Sequence, residues 1–146
     1  MAAQFMLEII TPEHTFFSGM AEMVVVEALD GKMGIMKGHL PIVVVLKTGE
    51  VDVTIDSKKR VASSAGGFME VTGTKTTLFL ESIEWADQVN VERCMGAKER
   101  AERFLSNPAL SKKEQEIYRA ALERANARLK IAKMPGNKEN GSPDKT

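Results

Sequence analysis

Apolar residues recur with a period of two up to Trp85 and with a period near 3.6 beyond it, so the chain is limited to a β-rich domain followed by helices. Phe5, Leu7 and Ile9 alternate, as do Val51, Val53 and Ile55, and each set puts its side chains on one face of a sheet. Met23 to Val26, Ile42 to Leu46, Phe68 to Val71 and Thr76 to Leu80 supply further short bursts of strand-forming residues. Turns are expected at Gly19, Asp30-Gly31, Gly38, Gly49, Gly66-Gly67 and Gly73. Six or more short strands punctuated in this way predict an all-β sandwich over residues 1–86, with the strand pairing left open.

Beyond Trp85, Cys94, Ala97, Ala101, Phe104 and Leu105 share one helical face, and Asn90 is placed to cap that helix. Asn107-Pro108 stops it, and Ser111 with Glu114 forms a capping box that opens a second helix running to about Lys133. Tyr118, Ala121, Leu122, Ala125, Leu129 and Ala132 form the matching stripe, so an antiparallel two-helix hairpin is predicted over 87–133. Residues 134–146 carry no apolar anchor and are expected to form a disordered tail.

The 43% hydrophobic and 27% charged content is that of a globular chain. The charges balance at 20 and 20, which argues against nucleic acid as a partner. They are not evenly spread: residues 1–86 hold 7 Lys/Arg against 11 Asp/Glu, and residues 87–133 hold 11 against 7. The basic hairpin reads either as a solvated helix face laced with ion pairs, or as an element that docks on its own sandwich or on an acidic surface elsewhere. The start of the chain has no signal-peptide pattern and no run approaches a membrane span, so direct membrane insertion is not expected.

Catalytic chemistry finds no home in the pattern. The two histidines, His14 and His39, sit in turn-like surroundings away from any GxSxG string, and there is no HExxH, EF-hand loop or phosphate-cradling P-loop. One cysteine and two histidines exclude both an intramolecular disulfide and an all-Cys/His zinc site, so no catalytic or metal residues are assigned. Cys94 falls on the apolar stripe and reads as a small buried hydrophobe. Trp85 either wedges under the hairpin or closes the sandwich edge.

Four strings, LEIITPEHTFFSG, DGKMGIMKGHLP, SAGGFMEV and AKERAERFL, stand in an order and spacing that resemble the epsilon-subunit family of the bacterial F-type (F1Fo) ATP synthase, over about residues 4 to 133. The resemblance implies a sandwich of two sheets carrying a helical hairpin, in a non-catalytic rotor subunit of the central stalk that couples ion transport to ATP synthesis. It also implies a peripheral place on the cytoplasmic side of the cell membrane. The gamma subunit and the c-subunit ring are the implied partners, met through the Asp30 to Pro41 loop with Asp30, Gly31, Lys32, Met33, His39 and Pro41. Lys32 stands where the family often has an acidic residue, which replaces or reverses an ion pair with the ring. In the family the hairpin, when extended, contacts the beta and alpha subunits and blocks ATP hydrolysis; here Arg119, Arg124 and Arg128 are the matching basic contacts. Some members also bind ATP, with or without Mg, as a regulatory ligand at an Ile/Leu-Asp-x-x-Arg-Ala motif. The corresponding stretch runs from Val89 and Asn90 to Arg93 and Cys94, and Glu84, Arg100, Arg124 and Arg128 complete the implied ATP site. Asn90 keeps an acceptor oxygen but lacks the charge of Asp. Against that site stands the bland reading of solvated helix arginines, and against the rotor role a stand-alone ATP-sensing module.

Overall fold

The computed structural model describes residues 3–132, and the tail expected over 134–146 lies outside them. The chain divides between Trp85 and Ala86 into two compact units. The first is built from ten strands: β1 (Phe5–Ile10), β2 (Thr15–Ala21), β3 (Met23–Ala28), β4 (Gly31–Ile35), β5 (Ile42–Leu46), β6 (Gly49–Ile55), β7 (Lys58–Ser64), β8 (Gly67–Val71), β9 (Lys75–Leu80) and β10 (Ile83–Trp85). They form two layers, β10-β7-β6-β3-β4 and β5-β8-β9-β1-β2, joined into one hydrogen-bonded network where Ala28 pairs with Leu46. Only β1 and β9 run parallel; the other pairs are antiparallel.

Period-two alternation drives this arrangement, because Leu7, Ile9, Val24, Val26, Val51 and Val53 all turn inward and are almost wholly buried. Trp85 packs on Phe16 at 4.7 Å between ring centroids and lies under the Arg60 guanidinium at 4.0 Å, so it closes the sandwich edge. Gly19, expected at a turn, lies inside β2, where cross-strand pairing with Leu7 overrides its turn preference. Gly66-Gly67 is the tight junction its sequence suggests: Gly66 has φ +99°, and a Cβ on Gly67 would strike the backbone of Phe79.

The second unit begins with a 3-10 turn over Ala86–Gln88, followed by α1 (Val91–Leu105) and α2 (Lys112–Ala132). Asn90 caps α1 by accepting the Arg93 N–H at 2.9 Å. The capping box forms in both directions, with the Glu114 N–H donating to Ser111 Oγ at 3.2 Å and the Ser111 N–H donating to a Glu114 carboxylate oxygen at 3.1 Å. Between the helices the Ala109 N–H donates to Asn107 Oδ1 at 2.9 Å, a turn that Pro108 permits because it needs no amide of its own. Small residues line the seam: Cys94, Ala101 and Ala125 are buried, with Leu129. Phe104 and Tyr118 stack nearly flat at 4.5 Å near the hairpin tip.

Candidate functional site

The Asp30 to Pro41 segment is not one loop. Strand β4 runs through it, so Asp30, Gly31 and Lys32 sit at one end of that strand and His39 and Pro41 beyond the other, about 17 Å apart along five extended residues. The segment therefore has two separate ends, one on each side of the strand. At the first, Leu29 is 69% exposed beside Asp30, and Lys32 places its Nζ 3.9 Å from a Glu50 carboxylate oxygen. Met33 turns inward and packs against the core, where it supports the strand and offers little surface. At the second, Leu40 is 77% exposed, and the His39 N–H donates to the Met36 carbonyl at 3.2 Å. His39 Nδ1 lies 2.8 Å from the Leu40 carbonyl oxygen; a carbonyl only accepts, so Nδ1 is the donor in this contact. A groove of about 480 Å³ opens beside it, between Met36, Leu40 and the Thr72 to Thr74 turn.

A further apolar strip escaped the sequence reading. Val43, Val45 and Phe68 are exposed on the outer face of β5 and β8, and Phe68 stacks on Phe79 of β9 at 4.8 Å. Its signal is the unbroken run Ile42 to Leu46: a strand with one wet face should alternate, and one that does not has apolar residues to cover on both sides.

On the hairpin, Arg93 and Arg100 flank one edge of the α1 stripe, and Arg124 and Arg128 flank one edge of the α2 stripe. With Phe104 level with Tyr118, equal helical rise sets Arg128 level with Cys94 and Arg124 level with Lys98. Antiparallel pairing turns both edges to the same side, so the four arginine positions share one side of the hairpin within about two helical turns, or about 11 Å. Arg119 is exposed nearer the tip. The Val89 N–H donates to Ala86 O, and the Asn90 side-chain oxygen is already engaged in the helix cap. Glu84 belongs to β10, in the other unit.

The remaining concentration of charge is on β6, where Glu50 and Asp52 alternate with the core residues Val51 and Val53. Both are buried, Glu50 at 9% exposure and Asp52 at 7%. Burial first, then the hydrogen bond and charge of Glu50, push the Asp52 carboxyl from 3.8 up to about 7, against the opposing pull of Lys59 and Lys32. Nothing in a strict alternation marks such outward-facing residues as buried. Among the described residues no group of three His, Cys, Asp or Glu could hold a metal ion, and no helix is long and apolar enough to cross a membrane.

A ten-strand sandwich followed by a two-helix hairpin, with no metal cluster among the described residues, defines a two-unit protein of sandwich and helical hairpin. Residues 4–86 match the family model described as the ATP synthase, Delta/Epsilon chain, beta-sandwich domain, and residues 87–133 match its long alpha-helix domain. The ATP synthase epsilon chain of Caldicellulosiruptor bescii is 44% identical over 94% of this chain and 98% of the relative. That of Caldicellulosiruptor saccharolyticus is 42% identical over 88% and 93%. A chain of the Euglena gracilis mitochondrial ATP synthase, solved as OSCP/F1/c-ring, shares the fold at a TM-score of 0.75 and 20% identity, covering 87% of this chain and 80% of that one. The chain belongs to the ATP synthase delta/epsilon family and is an epsilon-type subunit of that complex.

Proposed function

We propose that this subunit takes no part in the chemistry of ATP synthesis itself, but turns in the central stalk, couples ion transport to synthesis, and brakes ATP hydrolysis with its hairpin. The gamma subunit and the c ring are its standing partners, and the beta and alpha subunits meet the hairpin when it extends. Its place is then peripheral, on the cytoplasmic side of the bacterial membrane. The observation that carries this reading is the division into two separately compact units, one a sandwich and one a helical hairpin rich in arginine. The assembly that contains the fold relative is described by its F1 and c-ring components, which suits a stalk position. The match to epsilon chains across both units favours a rotor subunit over a stand-alone ATP sensor.

ATP, with or without Mg, is the proposed regulatory ligand of the arginine face. Arg93, Arg100, Arg124 and Arg128 would hold the phosphates by charge-assisted hydrogen bonds, and Val89 and Asn90 would meet the base. Truncation after Ala86 tests the whole. The sandwich should still co-purify with gamma, and hydrolysis by the assembled synthase should rise. Loss of gamma binding by the sandwich, or unchanged hydrolysis, would overturn the rotor or the brake respectively.

A further inference from the structure

Glu50 and Asp52 belong neither to the two ends of the Asp30 to Pro41 segment nor to the arginine face. They stand two residues apart on β6 and so project from the same side of the sheet. Buried carboxylates ordinarily have a hydrogen-bond donor for each oxygen. Here the nearest ammonium groups stay beyond hydrogen-bond reach, Lys32 Nζ at 3.9 Å from Glu50 and Lys59 Nζ at 3.7 Å from Asp52, and Asp52 Oδ1 accepts no hydrogen bond.

The neighbouring strands make the shortage sharper. Glu27 of β3 pairs with Lys32 and stands two residues along the same strand from Val25, which pairs with Asp52. On the other side Ser63 of β7 pairs with both Glu50 and Glu84 of β10, while Lys59 of β7 reaches Asp52. Four carboxylates, Glu27, Glu50, Asp52 and Glu84, thus share this face with two lysines, Lys32 and Lys59. Two adjacent desolvated carboxylates repel, and one shared proton both removes a charge and supplies the missing donor.

We propose that Glu50 and Asp52 share one proton, and that releasing it to solvent draws Lys32 inward, lowering the positive charge that β4 offers to an acidic partner. The proton is the only species exchanged. With it bound, the two carboxyls and two lysines carry one net positive charge; without it they are neutral, and Glu50 competes fully for the Lys32 ammonium. The raised position of the Asp52 carboxyl, about 7, puts this change in the neutral range. The partner half of the proposal rests on the reading that the Lys32 end of β4 docks in the synthase; the proton half does not.

Carbon-detected NMR of the full chain from pH 5 to 9 tests the proton half. The Asp52 carboxyl signal should move near pH 7, and the signals of the Glu50 carboxyl and the Lys32 side-chain nitrogen should respond to that step. Asp52→Asn should abolish the Lys32 step, with Glu50→Gln as the second variant if the first does not fold. Carboxyl titrations complete by pH 5, or a Lys32 signal that ignores them, would overturn the proposal. For the partner half, rebinding to synthase stripped of this subunit should weaken by about threefold or more from pH 6 to 8 for the wild type, and hold level for Asp52→Asn. Wild-type rebinding that is flat or strengthens with pH overturns that half. No rebinding at any pH removes the docking reading instead, and leaves the NMR titration to decide the proton pair.

Discussion

Asn90 accepts the Arg93 amide at 2.9 Å, and that bond caps α1 while occupying one of the lone pairs an adenine amino group would need. Asp is as good a cap as Asn and adds a negative charge at the helix N-terminus, so Asn90→Asp should leave the hairpin's thermal stability unchanged or slightly higher while tightening ATP binding in calorimetric titration. An unchanged or weaker constant would remove Asn90 from the nucleotide contact. Asn90→Ala should instead lower hairpin stability by about 1 kcal/mol through the lost cap. At Asp52 the sign runs the other way from most carboxylates. Its folded value, about 7, lies above the ordinary 3.8, so its contribution to stability is full below about pH 4 and is lost as pH rises through 7. Denaturant melts of Asp52→Asn and wild type should therefore diverge with rising pH, the variant becoming more stable by about 1–3 kcal/mol above pH 7, with no further change beyond about pH 8. A constant difference across that range would contradict the raised value. Residue chemistry of this kind was half legible: the cap at Asn90 follows from its place before a periodic stripe, whereas the burial of Asp52 depends on strands far away in sequence.

The hairpin was readable as an element because each of its signals is local. Cap, stripe, stop and capping box all fall within a few residues of the boundaries they set, and both ends of α1 and the start of α2 lie within two residues of where those signals put them. The strands were not equally readable. β2 contains a glycine expected to turn, β4 crosses a segment expected to be a loop, and β7 has three charged residues at its start; antiparallel pairing with the preceding strand, which no single-strand pattern displays, holds all three. Small residues along the helical seam bury little area each, which leaves the stacked Phe104 and Tyr118 as its largest rigid contact. A double-mutant cycle with Phe104→Leu and Tyr118→Leu should give a coupling of about 0.5–1.5 kcal/mol in hairpin stability. Additive losses would mean that the rings merely lie near one another.

For the whole molecule the decisive property is charge segregation, an acidic sandwich of 11 Asp/Glu to 7 Lys/Arg joined to a hairpin with the ratio reversed, and this was legible from counting alone. That Asp30 and His39 stand apart was not, because they are close in sequence and are separated only once β4 forms between them. Segregation also makes the proposed brake an electrostatic one. If Arg119, Arg124 and Arg128 engage acidic segments of the catalytic head, the contact is made between exposed charges, and screening acts on it directly. The Debye length shrinks from about 10 Å at 0.1 M salt to about 3 Å at 1 M, so inhibition of hydrolysis by the full chain should weaken progressively across that range. Replacing the three arginines by alanine should weaken inhibition at low salt and flatten the salt dependence, since the variant has little charge left to screen. Apolar docking through the exposed Ile117 and Phe104 predicts the opposite pattern. Inhibition would then persist or strengthen with salt, and the arginine variant would brake as well as the wild type.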